Sequence, residues 1–185
     1  MTVINPEHGK RVVGSAELDD MLTASARGDE KAFEALYDAT RVSVYSFALS
    51  IVKNTHDAED VMQDCYVTLF TSAAGYEPCG KPLAWMLTIV RNLCFQKLRM
   101  RKLDAELPEE DNDMLLSSET VLSPEDRLII RECLDTLQQE ERQIIILHAV
   151  SGFKHREIAD FLNLPLATVL SKYRRALKKL RQNLK

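Results

Sequence analysis

Four carboxylates fall within eight residues in the stretch His56-Asp57-Ala58-Glu59-Asp60-Val61-Met62-Gln63-Asp64. Carboxylates this close can share general acid–base work. The company such chemistry needs is missing: no nucleophile, metal ligand or glycine-rich phosphate loop accompanies them, and His56, His148 and His155 stand at no zinc-ligand spacing. No catalytic residue, metal site or cofactor is therefore expected. At helical spacing Ala58, Val61, Cys65 and Leu69 take one side. Glu59, Asp60, Gln63 and Asp64 form a polar stripe on another, because residues three and four apart are neighbours. Asp57, Glu59 and Asp60 also suit a helix N-terminus, which favours negative charge. The stripe reads as a solvated face or as an acidic docking surface for a basic partner.

The opposite charge gathers at the C-terminal end. From Phe161 to Lys185 there are seven Lys or Arg and no Asp or Glu, on a chain whose formal net charge is −4. Ile158, Ala159 and Leu162 make the apolar face of a short helix. Val169, Tyr173, Ala176, Leu180 and Leu184 make that of a second, and Asn163 suits the left-handed position between them. This is the pattern of a helix-turn-helix, whose second helix enters the DNA major groove. Thr168, Ser171, Lys172 and Arg175 are expected to project from the far side, toward phosphates and base edges. Lys178, Lys179 and Arg181 read as generic positive charge. The competing reading, a solvated basic face, is weakened by the turn and by the lack of acids.

A third segment mixes the two chemistries. Pro82 to Leu93 is apolar, with Trp85 as a core anchor, and Gln96-Lys97-Leu98-Arg99-Met100-Arg101-Lys102 is basic. Its second half can follow a phosphate backbone while the preceding loop, with Tyr76, meets unpaired bases. Single-strand binders join basic tracks to base-stacking side chains in this way.

The elements that must position these groups read as helices throughout, with no alternating strand pattern. Residues 1–17 are expected to be a flexible tail. From Leu18 to Val52 apolar residues recur almost without interruption until Asn54-Thr55. Helices follow from Thr55 to about Phe70 and from Pro82, suited to a first helical turn, to about Lys102. Leu103 to Pro124 is an acidic linker. Nine acids and no base lie between Leu103 and Asp126, and as a coil its twenty-odd residues would span roughly 25–30 Å. Helices are predicted at about Glu125–Leu137, Gln139–Ser151, His155–Leu162 and Leu166–Asn183. The fold class is all-α: two small helical domains, 18–102 and 125–185, joined by the linker at 103–124. The four cysteines have no C-x-x-C pairing, so packing roles are expected. No stretch approaches a membrane span, no signal peptide is evident, and a cytoplasmic location is expected.

Taken in order, Ala32-Phe33-Glu34-Ala35-Leu36-Tyr37, Asp57-Ala58-Glu59-Asp60-Val61-Met62-Gln63-Asp64, Trp85-Met86-Leu87-Thr88-Ile89-Val90-Arg91-Asn92, Glu141-Arg142-Gln143 and Glu157-Ile158-Ala159 through Thr168-Val169 to Arg175-Ala176 resemble the extracytoplasmic-function sigma factors of bacterial RNA polymerase. The resemblance covers Asp29 to Leu184. It implies a non-enzymatic promoter-specificity subunit. Asp57, Glu59, Asp60, Gln63 and Asp64 would dock on the clamp helices of the largest polymerase subunit. Tyr76, Arg91, Asn92, Gln96, Lys97 and Arg99 would recognise and open the minus-ten element. The C-terminal domain would bind the minus-thirty-five element through Arg156, Thr168, Leu170, Ser171, Lys172, Arg174, Arg175 and Lys178, and would also bind the polymerase flap tip. Promoter DNA and an anti-sigma factor are the further partners implied, with no direct membrane insertion.

The sequence departs from the family pattern at Gln96, where Asp is common, at Leu170, where Lys or Arg is common, and at Ala167, where Gly is common. Leu170 would favour apolar contact, such as a thymine methyl. Two other readings stand beside this one. A helix-turn-helix regulator of the response-regulator output type would bind palindromic sites without polymerase, and it leaves the carboxylate stripe and Trp85–Lys102 without a role. An enzyme using Glu59, Asp60 and Asp64 would need a substrate or metal site that nothing else in the sequence supplies.

Overall fold

The computed structural model describes residues 13–72, 76–78, 80–104 and 136–183. Seven helices are described: α1 (Ser15–Ala26), α2 (Glu30–Val52), α3 (Thr55–Ser72), α4 (Pro82–Asp104), α5 (Gln139–Ala149), α6 (His155–Leu162) and α7 (Leu166–Asn183). The described residues contain no strand. The acidic linker and nearly all of the helix predicted at Glu125–Leu137 lie outside them. Thr136 and Leu137, at its expected end, form a turn and a bend instead, and Leu137 is buried.

The helix boundaries have local causes. The predicted run from Leu18 is in fact two helices. Gly28 takes a φ of 89°, open to glycine without strain, and Asp29 then caps α2 by accepting from the backbone N–H groups of Lys31 (3.0 Å) and Ala32 (3.1 Å). α1 also reaches back to Ser15, three residues into the expected tail. α2 stops where Lys53 turns left-handed, at φ 58°, and the Asn54 carboxamide receives the Asp57 N–H at 2.9 Å to start α3. Asn163 holds the left-handed position between α6 and α7, at φ 54° and ψ 46°.

α1, α3 and α4 surround α2 to form an N-terminal unit. Inside it Thr40 donates to the Leu36 carbonyl (2.6 Å) and meets the Tyr66 hydroxyl at 2.8 Å. Cys65 and Cys94 are buried, and burial pushes both thiols up to about 12, so they act as packing residues and not as nucleophiles. α5, α6 and α7 form the C-terminal unit.

The two units do not stand apart. α2 packs directly against α5, and the buried residues of both belong to one continuous core. Every α2 residue from Ser43 to Val52 is buried. A helix covered on all sides requires partners on all sides, and α5 supplies Ile144, Ile146 and Leu147 to that core. The sequence reading of two linked domains did not anticipate this.

Candidate nucleic-acid interface

α4 presents a different chemistry in each direction. Met86, Leu87, Val90 and Cys94 enter the core. Toward α3, the Lys97 ammonium hydrogen-bonds the Asp60 carboxylate and lies 3.5 Å from Asp57, while Arg101 Nη1 lies 3.4 Å from the other Asp57 oxygen. Burial alone would lower the affinity of Lys97 for its proton. Asp60 and Asp57 outweigh that and hold the ammonium above the ordinary lysine value. His56 Nδ1 sits 3.4 Å from Asp60. His56, Asp57 and Asp60 bring ligand atoms within 4.8 Å of one another, and the two carboxylates of this group take the Lys97 ammonium. The arrangement therefore joins α3 to α4 through Asp57 and Asp60.

This divides the predicted acidic stripe. Asp57, Glu59 and Asp60 are half-buried, with Asp57 and Asp60 turned toward α4, whereas Gln63 and Asp64 are exposed. The exposed face of α3 continues past Asp64 into Val67 and Phe70, both more than half exposed.

In its third direction α4 meets the C-terminal unit. Arg91 Nη1 donates to the Phe161 carbonyl at 3.1 Å, and its guanidinium carbon lies 5.2 Å from the centre of the Phe161 ring. That carbonyl is one of the unpaired acceptors at the end of α6, where positive charge is favoured. The Phe161 ring also packs edge-on to Phe47 of α2 at 5.7 Å. Asn92, Gln96 and Arg99 remain on the outward face, all exposed. Tyr76 lies half-buried near this face. Its hydroxyl donates to Asp19 of α1, and its ring lies 4.8 Å from that of Trp85.

The basic residues of α7 separate in the same way. Lys172 Nζ lies 2.7 Å from Glu140 and Lys179 Nζ 2.6 Å from Glu141, so the flank of α7 facing α5 is ion-paired. Glu141 is 1% exposed and also accepts the Gln138 N–H at 3.1 Å. Burial opposes its charge, but Lys179 and that N–H outweigh burial and hold the carboxyl below the usual glutamate range. Ser171, Arg174, Arg175 and Lys178 lie on the exposed side, with Thr168 and Leu170 half-buried at its margins. The Ser171 hydroxyl donates to the Thr168 carbonyl at 2.9 Å. Arg156 is exposed in the first turn of α6, which Glu157 caps through the Lys154 N–H at 2.7 Å. Val169 and Ala176 are buried, with Tyr173 and Leu180 beside them, as the apolar periodicity predicts.

The pairings of α7 with α5 and of Arg91 with Phe161 differ in how far the sequence signals them. Glu140 and Glu141 stand where α5 meets α7, and Lys172 and Lys179 are seven residues apart, hence on one side of their helix; that spacing was the available signal. The capture of Arg91 by Phe161, across 70 residues, had none.

Comparison with known proteins is consistent across the chain. The Sigma-70 region 2 family matches residues 36–103, and the Sigma-70, region 4 family matches residues 127–180. The ECF RNA polymerase sigma factor SigK of Mycolicibacterium vanbaalenii is 31% identical over 177 residues, covering 91% of this chain and 89% of that protein. SigK of Mycobacterium ulcerans is 29% identical over 174 residues, covering 90% and 93%. Among solved structures, the sigma factor RpoE in complex with the anti-sigma factor NepR from Bartonella quintana shares the fold with a TM-score of 0.63 at 24% identity, over 83% of this chain and 97% of that one. CnrH in complex with the cytosolic domain of CnrY does so with a TM-score of 0.62 at 24% identity, over 91% and 97%. With both sigma regions matched in order and full-length relatives of the same kind, the chain belongs to the extracytoplasmic-function sigma factors, the RNA polymerase-binding subunits that make transcription initiation promoter-specific.

Proposed function

We propose that the chain grips promoter DNA at two points as a non-catalytic initiation subunit. The N-terminal unit meets the minus-ten element through the outward face of α4, with Asn92, Gln96 and Arg99 as its base and phosphate contacts. Arg91 joins them once released from Phe161. The C-terminal unit sets the exposed side of α7 against the minus-thirty-five duplex, with Ser171, Arg174, Arg175 and Lys178 foremost and Arg156, Thr168 and Leu170 at the margins. Lys97 and Lys172 act mainly through their carboxylate partners, which fix α4 and α7. Core polymerase docks on the exposed half of α3, Gln63 and Asp64, with Asp57, Glu59 and Asp60 shaping that surface from within. Its flap tip meets the C-terminal unit. An anti-sigma factor is the natural antagonist, since RpoE and CnrH were both solved with partners of that kind or a partner's cytosolic domain. No described helix is long and apolar enough to cross a membrane, in keeping with a cytoplasmic site of action.

The observation that carries this reading is the sorting of charge on α7. Lys172 and Lys179, facing α5, are paired with Glu140 and Glu141, and Arg175 beside them also acts on Glu141, whereas Arg174 and Lys178 face outward with no carboxylate within ion-pair distance among the described residues. An unneutralised stripe on the second helix of a helix-turn-helix is an electrostatic footprint for duplex DNA. The decisive experiment is run-off transcription with purified core polymerase, with and without this protein, on genomic templates. Template-specific initiation that requires the protein is expected. Equal binding to palindromic sites in the absence of polymerase would favour the stand-alone regulator.

A further inference from the structure

We infer that His148 and His155 form a proton-sensitive keystone of the helix-turn-helix, which loosens the grip on duplex DNA as pH falls; its DNA half rests on the minus-thirty-five reading above. The three helices of the C-terminal unit each send one ring to a single point. His148 of α5 and His155 of α6 lie 4.3 Å apart with their planes tilted by 36°. Both meet Tyr173 of α7 in T-shaped contacts, at 5.0 and 4.7 Å. All three residues are half-buried.

The surroundings suit neutral rings only. His148 Nδ1 lies 2.8 Å from the Phe153 carbonyl. A carbonyl only accepts, so in the neutral ring Nδ1 carries the proton and Nε2 is the basic atom. His155 Nε2 is buried with no hydrogen-bond partner among the described residues. A proton placed there puts a charge out of water with nothing to receive it, and a proton on each ring puts like charges in contact. The elements around the cluster bring no compensation. On α6, Arg156 and Glu157 are exposed, and Glu157 is taken by the N–H of Lys154, itself exposed. On α7, Lys172 is paired with Glu140 of α5, and Lys179 with Glu141. Arg91 of α4 is held at the far end of α6, and α2 brings no charged residue to α5 between Arg41 and Lys53. Among the described residues no carboxylate pairs with either imidazole. Burial first, and then His148, accordingly hold His155 below the ordinary histidine value.

The cluster sits where a small movement has a long reach. His155 opens α6, the first helix of the motif. Phe153, whose carbonyl His148 holds, packs edge-on to Phe161 at the other end of that helix, at 6.1 Å. Charging the cluster favours an α6 lifted from α5 and α7, and α7 then loses the support that sets its angle on the duplex. The direction is diagnostic. Imidazolium on a DNA-binding unit would otherwise strengthen binding by adding positive charge.

The test follows holoenzyme on a duplex minus-thirty-five probe, at constant ionic strength, from about pH 7.5 down to about pH 5.5. It compares wild-type protein with H155F, which keeps a ring and removes the charge. Wild-type affinity should fall roughly threefold to tenfold, since a proton excluded from the bound form is worth at most about tenfold per pH unit. H155F should stay within about twofold over the same interval. If circular dichroism shows H155F to be misfolded, the wild-type protein decides alone. Its imidazole proton resonances give the titration of His155, and the hydrogen-exchange protection of the α6 amides, corrected for intrinsic rate, should fall as His155 takes up its proton. Wild-type affinity that stays flat or rises on acidification overturns the inference. So does an equal fall in H155F, and so does α6 protection that ignores the titration. Wild-type holoenzyme with no affinity for the probe at about pH 7.5 would instead sink the minus-thirty-five reading, and the exchange arm would still judge the switch.

Discussion

Lys178 and Lys179 are adjacent in sequence and should behave as opposites. Lys179 binds Glu141, a carboxylate only 1% exposed whose other donor is the Gln138 N–H. Removing one partner of a fully buried pair costs about 3–5 kcal/mol, and of an exposed pair about 0.2–1 kcal/mol. The Lys179 side chain is 38% exposed, so water reaches part of the space left by K179A, and about 2 kcal/mol is the reasonable intermediate. For a chain of this length that corresponds to a fall in Tm of roughly 4–8 °C. Lys178 is exposed, and K178A should stay within about 0.5 kcal/mol of wild type. On DNA the ranking reverses. K178A should reduce the salt dependence of minus-thirty-five binding by about one released counterion, and K179A should leave that slope unchanged. The pH dependence supplies a second arm. Glu141 titrates below its ordinary value of 4.5 in the folded protein, so its pairing stabilises above that value and is lost as pH falls through the lower, folded one. In K179A, burial pushes the same carboxyl upward, so acidification should narrow the stability gap between variant and wild type. Thermal unfolding by circular dichroism and binding across a salt series measure both. If K179A flattens the salt slope while its Tm stays put, the division of α7 into a structural flank and a DNA flank is wrong.

Three further outcomes follow from the same geometry. D64A should weaken core polymerase binding in a pull-down without moving Tm, whereas D60A should lower Tm by roughly 2–4 °C through the loss of about 1 kcal/mol of pairing with Lys97; equal effects of the two on core affinity, with no stability difference, would contradict the split stripe. R91A should loosen the contact between the two units, seen as a larger radius of gyration of the free protein by small-angle scattering, and an unchanged radius would mean the Phe161 contact carries no weight. His155 begins α6 with its ring 4.3 Å from His148 and 4.7 Å from Tyr173, and burial first, then His148, hold its pKa below 6.5. A depressed histidine contributes stability above its unfolded value that is lost as pH falls below it, so Tm should decline from about pH 6.5 downward, and H155F should show a smaller decline over that interval.

The sequence made the helices legible wherever a local cause set them. Pro82 announced the start of α4, Asn163 the turn before α7, and the steps between Val169, Tyr173, Ala176 and Leu180 the inner face of α7. Gly28 is equally local, but the apolar rhythm continues across it and masks the break between α1 and α2. Individual side-chain roles were less legible. Asp57, Asp60, Lys97, Lys172 and Lys179 were assigned by charge, yet charge alone does not say whether a side chain faces solvent or a countercharge on the next helix. Only the placement of α3 against α4, and of α5 against α7, decides that. The packing of α2 on α5 had a signal that went unused: no charged residue lies between Arg41 and Lys53. Eleven residues with only three serines and the Tyr45 hydroxyl for polarity cannot leave a face in water, and three neighbouring helices of one small domain leave one side uncovered.

That all-round burial of α2 has a consequence for the life of the protein in a cell. Moving the C-terminal unit away strips the cover from Phe47 and its neighbours on one side and from Ile144 and Leu147 on the other. Such a step resembles partial unfolding in its thermodynamics, because the apolar surface it exposes carries a positive heat-capacity change. Proteases and chaperones recognise the same surface that a binding partner would need to cover. Any partner that separates the two units must therefore offer apolar surface of its own to replace the one that α5 gives α2.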